Sequence, residues 1–311
     1  MNIQTISHEG RFFQYVDTLI TIPAHVTAQM IDQLSVWQKL HPPEETFAHS
    51  QYGTPTLIAR FDGVLAEDGK EFLSYEIQDT CGGLGYGGLV WEELRRARDH
   101  FKNEKWLPFS LLAGRGNKNH DDHLWLKQVT LKEAMAGSML LLIRLKLKQR
   151  IPASMHAYEH LVPRSICPLK TRGDKRYGVE MGWWKTVDWS GTQEGESLPW
   201  DTNFAIKPVQ GSGARDVFMW TVNKKEGGTT RTQIKEALQR RGHMFLQPFI
   251  SPMRMSLGGK PYNVILRPFF GWDPQNKKWE PLHGMWTARP YPNLRIHGAS
   301  DAINGPLFVE K

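Results

Sequence analysis

The chain has 311 residues, which is enough for one large or two medium-sized domains. Hydrophobic residues make up 40% of it and charged residues 23%, an ordinary balance for a globular protein with a sizeable core. Two cysteines are too few for a framework of disulfides, and a formal net charge of +7 favours anionic partners without choosing among nucleotides, nucleic acid, acidic metabolites and acidic membrane.

The first half of the chain alternates between helix-like and strand-like patterns. Apolar spacing and capping residues predict three helices, at Val26–Leu40, Leu89–Phe101 and Thr130–Gln149. Two strands are predicted between the first and second helices, at Thr56–Leu65 and Glu71–Gln78. The residues that join these strands, 66–69, are typical of a hairpin turn. A glycine-rich stretch, Cys81–Gly88, leads into the second helix.

Strand patterns dominate the second half. The predicted strands are Phe204–Val209, Val217–Val222, Met244–Ile250, Tyr262–Phe270, Glu280–Ala288 and Leu307–Glu310. One helix is predicted among them, at Thr232–Arg241, with Gly242 ending it. The sequence therefore predicts an α+β protein, with a boundary near residue 200 that divides it into parts 1–200 and 201–311.

The predicted hairpin carries the polar residues of greatest chemical interest. Alternate side chains of a strand share a face, so Arg60 and Asp62 point together, as do Glu76 and Gln78. If the strands pair, these four groups converge. The opposite face then carries Phe61, Tyr75 and Ile77. Two carboxylates and an amide oxygen suit Mg²⁺, and Arg60 suits a phosphate, although a solvent-exposed hairpin with an Arg–Asp pair explains the same pattern.

A second candidate site is the run Ile206 to Arg215, IKPVQGSGAR, in which a strand enters a flexible loop. Glycines let backbone N–H groups approach phosphate oxygens closely. Lys207 at the strand end supplies a positive charge for the same phosphates. This is not a Walker loop, because the lysine precedes the glycines. A Gly-Ser hairpin turn without a ligand is the competing interpretation.

The strand Phe245–Ile250 has the form of an adenine hinge, in which backbone groups near Gln247 and Ile250 would bond the base. A core strand has the same pattern. Two arginines that follow, Arg267 and Arg289, suit a polyphosphate or an acidic substrate, and each is also explained as a surface residue.

Near the end of the chain, Asp301 and Asn304 are candidate metal ligands in a polar segment. Because turns also prefer Asp and Asn, we favour a turn there.

These pieces, in this order, resemble a known family. Arg-Phe-Asp at 60–62 followed by Tyr-Glu-Ile-Gln at 75–78 is similar to the Arg-Tyr-Asp and Glu-Tyr-Asn strands of glutathionylspermidine synthase-like enzymes, whose ATP-grasp fold is circularly permuted. The Ile-Lys-Pro to Gly-Ser-Gly run resembles the lid of that family, and Pro-Leu-Phe-Val-Glu at 306–310 resembles its C-terminal strand. The resemblance covers residues 56–88 and 203–310.

The resemblance implies antiparallel sheets with helices that enclose a nucleotide cleft. It implies a ligase that uses ATP and Mg²⁺ to join a small carboxylate to an amine through an acyl phosphate. In this interpretation Arg60 holds the γ-phosphate, and Arg267 and Arg289 contact the phosphates or the substrate. The metal ligands are Asp62, Glu76 and Gln78, where the family has Asn at the last position.

The resemblance also implies a set of nucleotide-binding residues, namely Lys185, Lys207, Gly211, Ser212, Gly213, Gln247 and Ile250. Lys170 and Lys175 are alternatives to Lys185 as the lysine upstream of the lid.

Two other functions fit the sequence: a non-catalytic ATP-grasp-like nucleotide-binding protein, and a basic nucleic-acid-binding protein. The second is disfavoured, because the basic residues do not interleave with the aromatic ones in one stripe. Cys81 and Cys167 have no metal-type spacing, and neither a signal peptide nor a membrane-spanning apolar run is evident. A soluble, cytoplasmic protein without a membrane partner is therefore expected.

Overall fold

The computed structural model describes residues 3–8, 11–40, 58–78, 84–101, 109–113, 139–143, 176–188, 198–209, 217–222, 229–273, 276–296 and 301–311. Within these ranges the protein is of mixed α and β structure, mostly sheet with few helices, as the sequence predicts. None of the described helices is long and apolar enough to cross a membrane.

The strands, numbered in chain order, are β1 (Gln4–His8), β2 (Arg11–Tyr15), β3 (Ile20–Ile22), β4 (Ile58–Leu65), β5 (Phe72–Gln78), β6 (Phe109–Ala113), β7 (Met139–Ile143), β8 (Lys185–Asp188), β9 (Phe204–Pro208), β10 (Phe218–Trp220), β11 (His243–Pro248), β12 (Met253–Leu257), β13 (Lys260–Asp273), β14 (Lys278–Pro290) and β15 (Ile303–Val309). The helices are α1 (Ala24–Leu40), α2 (Leu84–Ala97), α3 (Tyr177–Glu180) and α4 (Arg231–Arg241), with a 3₁₀ turn at Asp99–Phe101.

The chain forms two compact units. The first unit comprises Met1–Arg172, Ile265–Thr287 and Ser300–Lys311, and the second comprises Gly173–Val264 and Ala288–Ala299. The units are interleaved along the chain, because β13 and β14 each contribute residues to both. The division into 1–200 and 201–311 stays a prediction.

The first unit is built on a sheet whose strands follow the order β1-β2-β15-β14-β13-β4-β5, with β3 also paired to β15. The pairs β1–β2, β4–β5 and β13–β4 are antiparallel, whereas β15 runs parallel to β2 and to β3. The predicted strands at 56–65, 71–78, 262–270, 280–288 and 307–310 are confirmed with somewhat different bounds. The N-terminal strands β1 to β3 were not predicted.

Helix α1 confirms its prediction and buries one stripe of side chains. Val26, Met30, Leu34 and Trp37 are fully or almost fully buried, at the spacing that places side chains on one helical face. The Trp37 ring lies 6.2 Å from that of Trp279 on β14, between ring centroids. The backbone N–H of Ala24 donates to the Glu310 carboxylate at 3.1 Å, so an acidic side chain meets the helix N-terminus.

Helix α2 begins at Leu84, five positions before the predicted start, so the glycine-rich stretch is partly helical. Burial of Trp91 and Leu94 outweighs the low helix propensity of the glycines in the first turns. The Trp91 indole N–H donates to the carbonyl of Gly284 at 2.7 Å, and its ring stacks on His283 at 4.3 Å.

The helix predicted at Thr130–Gln149 is wrong for its central residues. Met139–Ile143 form β7, which pairs in parallel register with β6. A continuous apolar run does not distinguish a buried strand from a buried helix, and here pairing with a second apolar segment decides for the strand. The rest of 130–149 lies outside the described residues.

The second unit contains a sheet of order β10-β9-β11-β8, with helix α4 packed on one face. The buried side chains of this core are Leu198, Phe204, Ile206, Trp220, Ile234, Ala237, Leu238 and Met244. Thr230 and Gln233 form a reciprocal capping box at the start of α4, and Gly242, with φ of 78°, ends it as predicted. The predicted strands at 204–209, 217–222 and 244–250 are confirmed, with shorter or shifted bounds.

Candidate functional site

The hairpin of β4 and β5 forms as the alternation predicts. Asp62 lies opposite Glu76, and Arg60 lies opposite Gln78. Because residues opposite each other on antiparallel strands point to the same side, the four polar side chains share one face. Phe61 lies opposite Ile77 on the other face, and both side chains are buried. The turn at 66–69 closes the hairpin, with Gly69 at a positive φ of 69°.

A β-bulge lies in the middle of this hairpin. Asp62 lies opposite Glu76 but Gly63 lies opposite Ser74, so Tyr75 is the extra residue of β5. The bulge reverses the alternation and brings Phe72 to the apolar face, where its ring meets Phe61 edge to face. A Cβ at Gly63 would lie 2.3 Å from the carbonyl oxygen of Leu73, so only glycine fits there.

Asp62 is the centre of the polar face. Arg60 Nη2 donates a hydrogen bond to its Oδ2 at 2.8 Å, and Arg60 Nε lies 2.8 Å from its Oδ1 as an ion-pair contact. The Arg267 Nε lies 3.6 Å from Oδ1. All three side chains are buried, so the interaction of this carboxylate with two guanidinium groups takes place away from bulk water.

The third strand of the site is β13, which the sequence did not link to the hairpin. Register places Phe269 opposite Arg60, and the guanidinium carbon of Arg60 lies 6.0 Å from the centroid of the Phe269 ring. Arg267 is two residues away and therefore shares this face. Sequence reasoning missed Phe269, although its position two residues from Arg267 on a strand predicts that the two side chains share a face.

Gln78 is oriented by these neighbours. Its Oε1 accepts from Arg60 Nη2 at 2.6 Å, while its Nε2 donates to Glu76 Oε1 and lies 3.4 Å from Asp62 Oδ2. The amide nitrogen, rather than the amide oxygen, therefore faces both carboxylates.

Tyr75 lies within electrostatic range of Asp62. Burial raises the pKa of its hydroxyl well above the usual range, and the negative charge of Asp62 raises that pKa further. The hydroxyl is therefore neutral at physiological pH.

The polar face fits a divalent cation in part. Asp62 and Glu76 are carboxylates on adjacent strands, and such oxygens are the ligands that Mg²⁺ prefers. Gln78 does not fit as a third ligand in its present orientation, because its nitrogen faces the carboxylates. Within the described part of the chain, no group of three or more His, Cys, Asp or Glu side chains gathers where it could hold a metal ion.

In the second unit, Lys207 lies on the sheet face opposite helix α4. It pairs with Phe245 across the β9–β11 register, and its Nζ lies 4.6 Å from the centroid of the Trp184 ring. Lys207 and Trp184 are buried, and the Trp184 indole N–H has no hydrogen-bond partner among the described residues. The Trp184 ring also packs against Gly178. A Cβ added at Gly178 would lie 2.2 Å from Cε3 of this ring, so a side chain does not fit there. Sequence reasoning missed Trp184.

The other predicted nucleotide-binding residues are placed as follows. Gln247 is buried on β11, opposite Ala205 on β9, and therefore shares the face of Lys207. Ile250 is half-buried just beyond that strand. Lys185 is exposed, and register places it on the opposite face from Lys207, since Thr186 and Lys207 both lie opposite Phe245. The predicted ligands Gly211, Ser212 and Gly213 lie outside the described residues, as do Lys170 and Lys175.

The remaining candidates lie elsewhere. In the second unit, Arg289 donates from Nη1 to the carbonyl of Arg295 at 2.9 Å. Asp301 is exposed in a turn, as favoured, whereas Asn304 is part of β15 and not of a turn. Asn304 accepts from the Thr287 hydroxyl at 3.0 Å, so strand pairing rather than turn chemistry accounts for it.

The sequence matches no protein-family model and no curated protein. Among solved structures, a glutathione synthetase-like effector from Globodera pallida in its apo form is similar at a TM-score of 0.35 and 10% identity. The match covers 93% of this chain and 88% of that chain. A likeness this distant assigns neither a family nor a function to the chain.

Proposed function

We propose that this chain is an ATP-dependent ligase that joins a carboxylate to an amine through an acyl phosphate, on a circularly permuted ATP-grasp fold. The observation that carries the proposal is the convergence of Arg60, Asp62, Glu76 and Arg267 on one face of three adjacent strands. Paired carboxylates beside paired guanidinium groups suit a phosphoryl transfer, in which catalysis is mainly positioning and charge stabilisation.

In this proposal each side chain has one task. Asp62 and Glu76 would hold a magnesium ion, which when bound would neutralise phosphate charge. Arg60 and Arg267 bind the oxygens of the transferred phosphoryl group, and Phe269 keeps the Arg60 guanidinium in position through its ring. The substrate carboxylate takes the phosphoryl group from ATP, and the amine then displaces phosphate from the acyl phosphate.

The second unit contributes the nucleotide-binding groups in this proposal. A lysine that is buried over an indole ring keeps one positive charge at a fixed position, which suits a phosphate oxygen. We assign that task to Lys207. The strand that carries Gln247 supplies the backbone groups for the adenine base, together with Ile250.

One observation favours a second candidate function, a nucleotide-binding protein without catalysis. The Gln78 amide presents its nitrogen to Asp62 and Glu76, whereas a catalytic metal site needs oxygen there. This candidate retains nucleotide binding at Lys207 but forms no ADP.

Formation of ADP, measured with panels of small acids and amines, separates the two candidates. The ligase predicts ADP release that requires both an acid and an amine and that Glu76→Gln removes. Nucleotide binding without ADP from any pair would favour the second candidate, and the absence of both would overturn the two together.

A further inference from the structure

We infer that the Gln78 amide takes the place of a cation between Asp62 and Glu76, and that it keeps a divalent ion out of the resting site. The inference rests on the proposed function only for the identity of that ion. Its physical content is the orientation of one amide group among four charged side chains.

An amide NH₂ group has two donor hydrogens, so one nitrogen can serve two carboxylates. Gln78 Nε2 donates to Glu76 Oε1 and lies 3.4 Å from Asp62 Oδ2. The nitrogen thus lies where a shared cation would bridge the two acids. Two neighbouring carboxylates that repel each other are in this way joined by a neutral donor.

Arg60 fixes which end of the amide faces the acids. Its Nη2 donates to Gln78 Oε1 at 2.6 Å. A rotation of the amide by half a turn would oppose its NH₂ group to the guanidinium, a donor against a donor, and would point its oxygen at two carboxylates. Both changes replace a charge-assisted hydrogen bond with a repulsion, so the present orientation is strongly favoured.

A divalent ion that binds between Asp62 and Glu76 must therefore displace the Gln78 nitrogen first. The ion also meets Arg60 and Arg267, whose two positive charges are both paired with Asp62. We expect the resting protein to bind a divalent ion weakly, and removal of the amide to strengthen that binding.

The test measures the binding of Mn²⁺ alone, in the absence of nucleotide, from the electron paramagnetic resonance signal of the free ion. The proteins are wild type, Gln78→Met, which keeps the length of the side chain without the amide, and Gln78→Asn, which is too short to span the same partners. Gln29→Met, at an exposed position of helix α1, is the matched control. Circular dichroism melts confirm that each variant is folded.

Gln78→Met is expected to bind Mn²⁺ about tenfold more tightly than wild type or more, since loss of hydrogen bonds to charged groups is worth about this factor. Gln29→Met is expected to match wild type. Equal affinity of wild type and Gln78→Met, whether tight or weak, would overturn the inference. If Gln78→Met does not fold, the same comparison is made with Gln78→Asn.

Formation of ADP in the same preparations reports on the proposed function independently. A wild type that forms no ADP, with tighter Mn²⁺ binding in Gln78→Met, would reject the ligase and support the amide's role. A wild type that forms ADP, with equal Mn²⁺ affinities, would reject the amide's role alone.

Discussion

Arg267 on β13 and Asp62 on β4 face each other across adjacent strands, with the arginine Nε 3.6 Å from the carboxylate Oδ1. Arg60 reaches the same oxygen along its own strand at 2.8 Å. All three side chains are buried, so bulk water does not solvate the charges of the two guanidinium groups. The carboxylate of Asp62 interacts with both of them instead.

Asp62→Ala is therefore expected to weaken the fold as well as any activity, because it leaves two buried guanidinium groups without their carboxylate. Breaking a buried ion pair costs about 3–5 kcal/mol in the free energy of unfolding. Chemical denaturation measures this cost. Asp68→Ala is the control, since the exposed Asp68–Lys70 pair contributes at most about 1 kcal/mol. Equal losses in the two variants would contradict the central position of Asp62.

Glu76→Gln separates activity from folding more cleanly. Glu76 is only half-buried, and glutamine keeps its shape, so the melting temperature is expected to stay close to that of wild type. The rate of ADP formation is expected to fall roughly 100-fold, because a carboxylate ligand is lost from the proposed metal site. Glu71→Gln, at an exposed position beside the same hairpin, is expected to change neither quantity.

Gly63→Ala tests the bulge that orients the hairpin. The new Cβ would lie 2.3 Å from the Leu73 carbonyl oxygen and 2.5 Å from Phe72 Cε1, so the backbone must shift. We expect a loss of roughly 1–3 kcal/mol or more in the free energy of unfolding. Gly69→Asn is the control, because asparagine tolerates positive φ and the space around Gly69 is open. A Gly63→Ala variant as stable as this control would argue against the bulge.

Stability is expected to fall at high pH through Tyr75. Its pKa is raised in the folded protein by burial and by Asp62, whereas an unfolded chain ionises tyrosine near pH ~10. The folded state therefore retains the proton that the unfolded state loses, and the free energy of unfolding decreases as pH rises above that value. Urea unfolding at pH 9 and at pH 11 measures the decrease.

Tyr75→Phe is expected to flatten this pH dependence, although Tyr15, whose pKa burial also raises, keeps part of it. Tyr262→Phe serves as the comparison substitution on β13. An unchanged slope in Tyr75→Phe would show that Tyr75 does not carry the effect.

Alternation along two strands was sufficient to predict the shared face of Arg60, Asp62, Glu76 and Gln78, because a hairpin is a local structure with a recognisable turn. The bulge was not predictable, because nothing in the sequence marks Tyr75 as the extra residue of β5. Pairing of β13 with β4 was not predictable either, because residues far apart in sequence carry no periodic signal for each other. Arg267 was consequently identified as an arginine of interest but not as the partner of Asp62.

The same limit applies to the apolar run Met139–Ile143, which the capping box and apolar spacing assigned to a helix and which pairing with a distant strand makes a strand. It applies also to Gln78, whose residue type suggested an oxygen ligand. The orientation of its amide depends on Arg60, and that contact appears only when both strands are in register.

The late position of β15 in the sequence delays the completion of the sheet during synthesis. Strands β2 and β3 both pair with β15, which the ribosome makes only after all the other described strands. At about 5–20 residues per second, the two early strands wait roughly 15–60 s for their partner. Their unpaired edges are exposed to other nascent chains during that time. Slower elongation would thus lengthen a period of vulnerability to aggregation, and chaperones that shield strand edges are expected to raise the yield of folded protein.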